Sequence, residues 1–375
     1  MSAAPKQIPP RAGFEWEKLA FDLYPTSGFA KYVWTAETGE WGPVEWVKEP
    51  YLNLHVGNVG LNYGASVFEG LKAFRHADGH IRIFRPKDNA ARLNHSADAV
   101  SMPALPEELF LEGVHLAVAR NGDLVPPHAP NAVNGSLYIR PLMFASGANL
   151  ILAPPSEFTF IVYVTPTGSL YGAAGTKAPA IDAFVIEKFD RAAPRGNGSA
   201  KLAGNYAPTF KHAAAAKKAG YPLTMHLDSA TRTYVDEFST SNFLAIKKQA
   251  DASQRKTLVV PESESILKSV TTKAIIQIAK DFGWAVERRR VLFQEVKDGL
   301  FEEVAACGTA AALTPVRSIT YHDSPETTKK VSIGDGENAG PGFLSILTQL
   351  TGIQSGVQED KHDWVWPKAG VDGSV

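Results

Sequence analysis

The sequence predicts an α+β protein of two domains. Three observations carry this expectation. The chain has 375 residues, and at roughly 100–200 residues per domain that length favours two. Its strand-like runs come in clusters with helices interspersed, not in the strict strand–helix alternation of a doubly wound parallel sheet. A stretch rich in glycine, alanine and proline, 166–180, also breaks the chain near its middle. The expected division is a small N-terminal domain over 1–166, a linker loop over 167–180 and a large C-terminal domain over 181–375.

Taken in order, residues 1–30 are proline-rich and read as an extended lead-in. Short β-like runs follow at 31–35, 44–47 and 81–84, the first two separated by the turn signal Gly39-Glu-Trp-Gly. Pro86 opens a helix with Ala90, Leu93 and Ala97 on one face. Pro106 opens another with Phe110, Val114, Ala117 and Val118 at helical spacing. Two longer strands cover 136–144 and 158–165. Past the linker, 181–189, 223–228, 234–247 and 257–260 read as strands, and 205–219 as a helix stopped at Gly220. The clearest helix is 270–282, with Val270, Ala274, Ile278 and Phe282 on one stripe and Gly283 at the position of a terminating glycine. The tail beyond Gly352 is polar but carries Trp364 and Trp366, so part of it is expected to dock.

Composition excludes several functions. Thirty-eight Lys and Arg oppose 39 Asp and Glu, leaving no basic excess for nucleic acid or an anionic membrane. The single cysteine, Cys307, rules out an intrachain disulfide framework and any cysteine-built metal cluster. The ten histidines are scattered, no His-Glu-x-x-His occurs, and no metal site is expected. No apolar run reaches the roughly 20 residues that span a bilayer. The first residues lack an apolar signal core, and a cytoplasmic location is expected.

Four segments carry chemistry. In Phe189-Asp-Arg-Ala-Ala-Pro-Arg-Gly-Asn-Gly-Ser-Ala-Lys201-Leu-Ala-Gly-Asn-Tyr206, a lysine follows a loop of small residues. A partly desolvated lysine attacks carbonyls, and the aldehyde of pyridoxal phosphate is its usual target. A solvated loop lysine is the plainer alternative. In Tyr234-Val-Asp-Glu237-Phe-Ser-Thr-Ser-Asn242 an acid lies in a β-rich run. A buried carboxylate needs a partner, and a protonated pyridine nitrogen is one; Asp236 is the competing acid. Ile266-Leu-Lys-Ser-Val270-Thr271 opens the clearest helix, whose free N–H groups suit a phosphate. Cys307-Gly-Thr309-Ala310 is a small-residue turn whose amides could also face an anion.

Together with Tyr63-Gly-Ala-Ser-Val-Phe68-Glu-Gly-Leu-Lys-Ala-Phe, Ala91-Arg92-Leu-Asn-His-Ser-Ala and Tyr138-Ile-Arg140-Pro, these segments resemble the branched-chain aminotransferases. The resemblance runs from about residue 30 to 322, with seven motifs in the family's order. It implies fold type IV of the pyridoxal-phosphate enzymes, the D-amino acid/branched-chain aminotransferase fold. It also implies a homodimer in which a neighbouring subunit contributes to the site. The implied activity is transfer of the amino group of L-leucine, L-isoleucine or L-valine to 2-oxoglutarate. The implied partners are thus small amino acids and 2-oxo acids, with no nucleic acid and no membrane.

Residue by residue, the resemblance makes Lys201 the Schiff-base lysine of the C-terminal domain and the proton carrier. Glu237 is implied to pair with the pyridine nitrogen, Tyr206 to bind the ring hydroxyl and Leu267 to back the ring. Arg92 is implied to hold the phosphate with Val270, Thr271 and Thr309. Tyr138 and the Thr309–Ala310 amides would take the α-carboxylate, Arg140 with Tyr63 the distal carboxylate, and Phe68 with Tyr63 would line the apolar pocket. The region of Leu170 and Tyr171 resembles the family's loop that closes over substrate.

The sequence departs from the family at Ala203, Ser239, Lys268-Ser269 and Thr272. A Cys-x-x-Cys pair of some animal members is replaced by Ala311 and Thr314. Alternatives with the same fold are a D-amino acid or (R)-amine transaminase, a pyruvate-releasing lyase, or an aminotransferase for a modified aliphatic amino acid. A cofactor-binding pseudoenzyme is a further one, opposed by the presence of Lys201, Tyr206 and Glu237 together.

Overall fold

In the computed structural model, residues 5–128, 135–168, 178–251, 254–324, 326–334 and 336–374 are described. The chain forms two compact units. The first comprises 1–170, 200–204 and 352–375, the second 171–199 and 205–351. The linear division expected from the sequence differs at two places. Residues 200–204 join the first unit because Leu202 bridges to Val67 and both Ala200 and Leu202 enter its core. The C-terminal tail returns to the same unit. The loop at Leu170 and Tyr171 lies outside the described residues.

The first unit is built from β1 (Phe29–Thr35), β2 (Glu40–Trp41), β3 (Glu45–Val47), α1 (Val59–Tyr63), β4 (Ser66–Phe68), β5 (Leu71–Arg75), β6 (Ile81–Phe84), α2 (Pro86–Asp98), α3 (Glu107–Ala119), β7 (Ser136–Ala145) and β8 (Glu157–Thr167). Its strands pair antiparallel, and the long β7–β8 pairing runs from Ser136–Thr167 to Ala145–Phe158. The helical spacings expected in α2 and α3 are borne out: Ala90, Leu93, Ala97, Phe110, Val114, Ala117 and Val118 are all buried against the sheet. Gly113 allows α3 to approach closely, since a Cβ there would stand 3.0 Å from the Tyr32 ring. β4 and β5 were not expected. They are short, and their sequence, Ser66-Val-Phe-Glu-Gly-Leu-Lys-Ala-Phe, is apolar on both faces and lacks the period of two that marks a half-buried strand.

The second unit comprises β9 (Ile181–Val185), α4 (Phe210–Lys218), β10 (Leu223–Leu227), β11 (Tyr234–Phe238), β12 (Ser241–Lys247), β13 (Thr257–Pro261), α5 (Val270–Asp281), β14 (Ala285–Arg289), β15 (Val291–Leu292), α6 (Phe293–Lys297), β16 (Phe301–Gly308), β17 (Ala312–Ser324), β18 (Thr327–Ser332) and α7 (Pro341–Ser355), the last running on into the first unit's tail. The order β14-β13-β12-β16-β17-β9-β10-β11-β15 forms a mixed sheet, parallel at β9–β10, β9–β17 and β13–β14. The single strand expected over 234–247 is a hairpin, turning at Ser239 and Thr240. The helix expected from 205 begins at Phe210, because Pro208 confines 207–209 to a short 3-10 turn. α5 starts at Val270 as expected, with the Ser269 hydroxyl accepting from the Thr272 N–H at 3.1 Å. It ends on Gly283, whose φ of +77° supplies the left-handed turn. Phe282, counted on the buried stripe, is 40% exposed.

The tail closes the first unit. β19 (Val365–Trp366) pairs antiparallel with β6, so the strand order there is β19-β6-β5-β7-β8-β1-β2, with β3 on β1 and β4 on β7. Trp364 packs edge-on against Phe84, and the Val371 N–H donates to the Ile81 carbonyl. The expectation that the Trp-bearing tail docks is met by this edge pairing. Among the described residues, no helix is long and apolar enough to cross a membrane.

Candidate active site

In the first unit, the turn after β4 brings Phe68, Lys201, Tyr138 and Arg140 together. The Phe68 N–H donates to the Lys201 carbonyl at 3.1 Å, and the Lys201 N–H donates to the Ser96 hydroxyl at 2.8 Å. Lys201 is thus pinned on its N–H by α2 and on its carbonyl by β4. Its Nζ stands 4.4 Å from the centre of the Phe68 ring. The Arg140 guanidinium lies 4.8 Å from the same ring and 5.3 Å from that of Tyr138, and its Nη2 donates to the Tyr138 hydroxyl at 3.1 Å. Arg140 Nε is buried without a hydrogen-bond acceptor. Burial works against this charge, yet the hydroxyls of Tyr138 and Tyr163 outweigh it and hold the guanidinium above its usual range.

Arg92 projects from α2 onto Glu69, with Nε on Oε1 and Nη2 on Oε2, both at 2.7 Å. Tyr63 stands apart. It is 46% exposed at the end of α1, and its hydroxyl donates to the Leu150 carbonyl at 2.9 Å. Among the described residues, no hydrogen bond or ring contact joins it to Phe68 or Arg140.

In the second unit, Glu237 is 3% exposed. Its Oε1 accepts from Arg191 Nη1 and its Oε2 from Asn242 Nδ2, the latter at 3.1 Å. Strand alternation separates it from its competitor, because neighbouring residues on β11 face opposite sides. Asp236 turns instead toward Asp228 and Ser263, and burial, then the Asp228 charge, push its carboxyl up to about 6. Arg191 also lies 5.6 Å over the Tyr206 ring. Burial opposes its charge, but Glu237 and Tyr206 prevail and raise it above the ordinary arginine range.

Asn242 ties this pair to the remaining candidates. Its Nδ2 also donates to the Leu267 carbonyl at 3.0 Å, and its Oδ1 accepts from the Thr272 hydroxyl at 3.1 Å. It sits opposite Cys307 in the β12–β16 ladder, two residues before Thr309. Glu237, Leu267, Val270, Thr271 and Thr309 are therefore gathered at one end of the second sheet. Cys307 is fully buried, and burial pushes its thiol up to about 12 despite hydrogen bonding by Thr272 and Ser269. It is an inert filler.

Three departures from the family acquire a purpose here. Thr272 supplies the hydroxyl that orients Asn242, and Ser269 caps α5. The Ser239 hydroxyl joins Thr224 and, at 2.7 Å, His226 Nε2, while its carbonyl accepts from Arg191 Nε at 3.2 Å. Burial first, and the charge of Arg191 second, hold the His226 imidazole down at about 3, so it is neutral. Nothing in the structure explains Ala203.

Sequence reasoning missed Arg191, Asn242 and Glu69, although each lies inside a quoted motif. Their signal was available. A charged or amide side chain set in an apolar strand or a small-residue loop must find a partner when buried.

Each unit carries groups that suit pyridoxal phosphate: the first a lysine and an arginine on a helix that also fixes the lysine backbone, the second a buried carboxylate held by an arginine. Comparison with known proteins agrees. Residues 66–319 match the family described as amino-transferase class IV. Transaminase AMT5 of Alternaria alternata is 45% identical over 93% of this chain and 91% of its own length. The branched-chain amino acid aminotransferase gloG of Glarea lozoyensis is 40% identical over 96% and 97%.

Among solved structures, the branched-chain amino acid aminotransferase of Escherichia coli superposes with a TM-score of 0.72 at 28% identity, covering 90% of this chain and 98% of that one. The T.th. branched-chain amino acid aminotransferase, complexed with N-(5'-phosphopyridoxyl)-L-glutamate, gives 0.68 at 26%, with the same coverage. The chain belongs to the class IV aminotransferases, has their type IV fold, and uses pyridoxal phosphate.

Proposed function

We propose that the protein transfers the amino group of L-leucine, L-isoleucine or L-valine to 2-oxoglutarate. The observation that carries this reading is Arg140. A guanidinium set against the Phe68 and Tyr138 rings, with a buried Nε lacking an acceptor, offers a carboxylate a charge-assisted bond beside aromatic faces. Such surroundings accept an aliphatic chain in one half of the reaction and the distal carboxylate of glutamate in the other. Three of the four similar proteins carry a branched-chain name, which supports the same substrate class.

Pyridoxal phosphate, when bound, supplies the electrophilic aldehyde and the electron-withdrawing ring that acidify an amino acid Cα–H. The protein's own groups do the rest. Lys201 Nζ would take the Cα proton and deliver it to the cofactor carbon that carried the aldehyde. Glu237, its charge matched by Arg191, would serve the ring nitrogen, Tyr206 would serve the ring hydroxyl, and Leu267 would back the ring. Arg92 would hold phosphate, as would the amides of Val270 and Thr271 with Thr309. Tyr138 and the amides of Thr309 and Ala310 hold the α-carboxylate.

The cytoplasmic homodimer belongs to this proposal. Val56, Leu61, Tyr63, Leu150, Ile151 and Leu152 form an exposed apolar group, tied together by the Tyr63–Leu150 bond and the Asn149–Gly57 pairing. A second copy would cover it and give Tyr63 a place in the neighbouring site.

The test is a panel of initial rates. Leucine, isoleucine and valine with 2-oxoglutarate should exceed L-aspartate, D-alanine and an (R)-amine by about tenfold or more in kcat/KM. Arg140→Gln should lose 2-oxoglutarate as acceptor while keeping an aliphatic 2-oxo acid. Preference for the D-amino acid or the amine would overturn the proposal.

A further inference from the structure

We propose that Glu69 is a positioning residue for the cofactor phosphate: it sets the aim of Arg92. This rests on the reading above, in which Arg92 holds phosphate. Glu69 has no exposed surface. Its backbone N–H donates to the Pro141 carbonyl at 2.8 Å, which fixes it to β7. Its carboxylate is a hub. Oε1 accepts from Arg92 Nε at 2.7 Å. Oε2 accepts from Arg92 Nη2 at 2.7 Å, from Asn89 Nδ2 at 2.7 Å and from the Gly70 N–H at 3.2 Å. Asn89 and Arg92 lie three apart on α2, hence on one face.

A two-point grip on a guanidinium fixes its plane as well as its place. The long arginine side chain then loses its rotational freedom on folding, not when the ligand arrives, which favours binding. The grip also offsets the arginine charge where both side chains are buried. What remains for a phosphate is direction more than net charge. The same helix extends this order to the lysine: the Ser96 hydroxyl donates to the Arg92 carbonyl at 2.9 Å and accepts from the Lys201 N–H. α2 thereby sets Arg92 and the Lys201 backbone in one frame.

Removing the charge of Glu69 gives opposite results under aim and under net charge. Glutamine has the same length but one acceptor. If its oxygen keeps the three donors at the Oε2 position, its amide N–H₂ faces the Arg92 Nε–H, donor against donor. The fork then swings, although the site has become more positive. Loss of aim weakens phosphate binding; gain of net charge would strengthen it.

The experiment titrates the apoprotein with pyridoxal phosphate and with pyridoxal, which has the aldehyde but no phosphate. The ratio of the two affinities isolates the phosphate. A general loss of folded protein lowers both affinities and leaves the ratio unchanged. Glu69→Gln should lower the ratio by about tenfold or more. An unchanged or higher ratio overturns the inference. Should the glutamine form not fold, Glu69→Asp keeps the charge but retracts it by one methylene. It should also lower the ratio, and an unchanged ratio there overturns the inference equally. A parent protein that shows no preference for pyridoxal phosphate over pyridoxal overturns the Arg92 reading itself, a result distinguishable from failure in the variant alone.

Discussion

Gly70 leaves no room for a side chain. A Cβ there would stand 2.1 Å from the Tyr138 hydroxyl, the same hydroxyl that receives Arg140 Nη2. Gly70→Ala should therefore displace Tyr138 and raise the KM for the amino acid by about tenfold, while pyridoxal phosphate affinity changes little. Steady-state kinetics beside a cofactor titration check both halves. Asp236 offers a different test. Its carboxyl is pushed up to about 6 from the ordinary 3.8, by burial and by Asp228, with Ser263, Arg290 and Arg191 only partly opposing. Between those values the unfolded chain has lost a proton that the folded protein keeps. Stability thus falls as pH rises from about 4 to about 6 and stays reduced above. A shift of about two units corresponds to roughly 3 kcal/mol. Asp236→Asn should be more stable than the parent at pH 7.5 by up to that amount, and no more stable at pH 4, in urea unfolding. A variant less stable at pH 7.5 would contradict this.

At the scale of elements, the C-terminal tail and α2 belong together. Arg85, at the N-terminus of α2, has a φ of +53°, a conformation that costs a non-glycine residue about 1 kcal/mol or more. It is held there by its N–H on the Trp364 carbonyl at 2.6 Å, by its guanidinium 4.9 Å over the Trp364 ring, and by Asp88. The tail also covers the edge of β6, which would otherwise offer unpaired backbone groups to other chains. Trp364→Ala should cost about 3–5 kcal/mol in unfolding measurements and promote aggregation. Because α2 carries Arg92 and Ser96, the variant should also release cofactor faster on dialysis. Loss of the α5 cap is a smaller matter: Ser269→Ala should cost about 1 kcal/mol by denaturant titration.

Across the whole molecule, much was readable in advance where one physical signal dominated. The 3.6-residue period of α2 and α3, the terminating glycine of α5 and the long apolar runs of β7 and β8 each specify one local answer. The candidate residues were readable as motifs, but their partnerships were not. Glu69–Arg92 and Arg191–Glu237 join residues 23 and 46 positions apart, and only the tertiary fold brings them together. The hairpin at Ser239 was missed because its two strands are continuous in β-forming residues. The strand β17 and the helix α7 passed unread for a similar reason, because their burial is decided by neighbours distant in sequence. The short 200–204 segment joined the first unit through one bridge, the Lys201–Ser96 hydrogen bond and two apolar residues, a choice no composition signal marks.

The most direct measurement is the absorption spectrum of the purified holoenzyme, followed as L-leucine and then 2-oxoglutarate are added. The protein-bound cofactor should give a yellow band that L-leucine bleaches and 2-oxoglutarate restores, and Lys201→Ala should abolish the cycle. A band indifferent to L-leucine but bleached by a D-amino acid would contradict the proposed substrate class. Undiminished turnover of leucine by Lys201→Ala would contradict the assignment of the site.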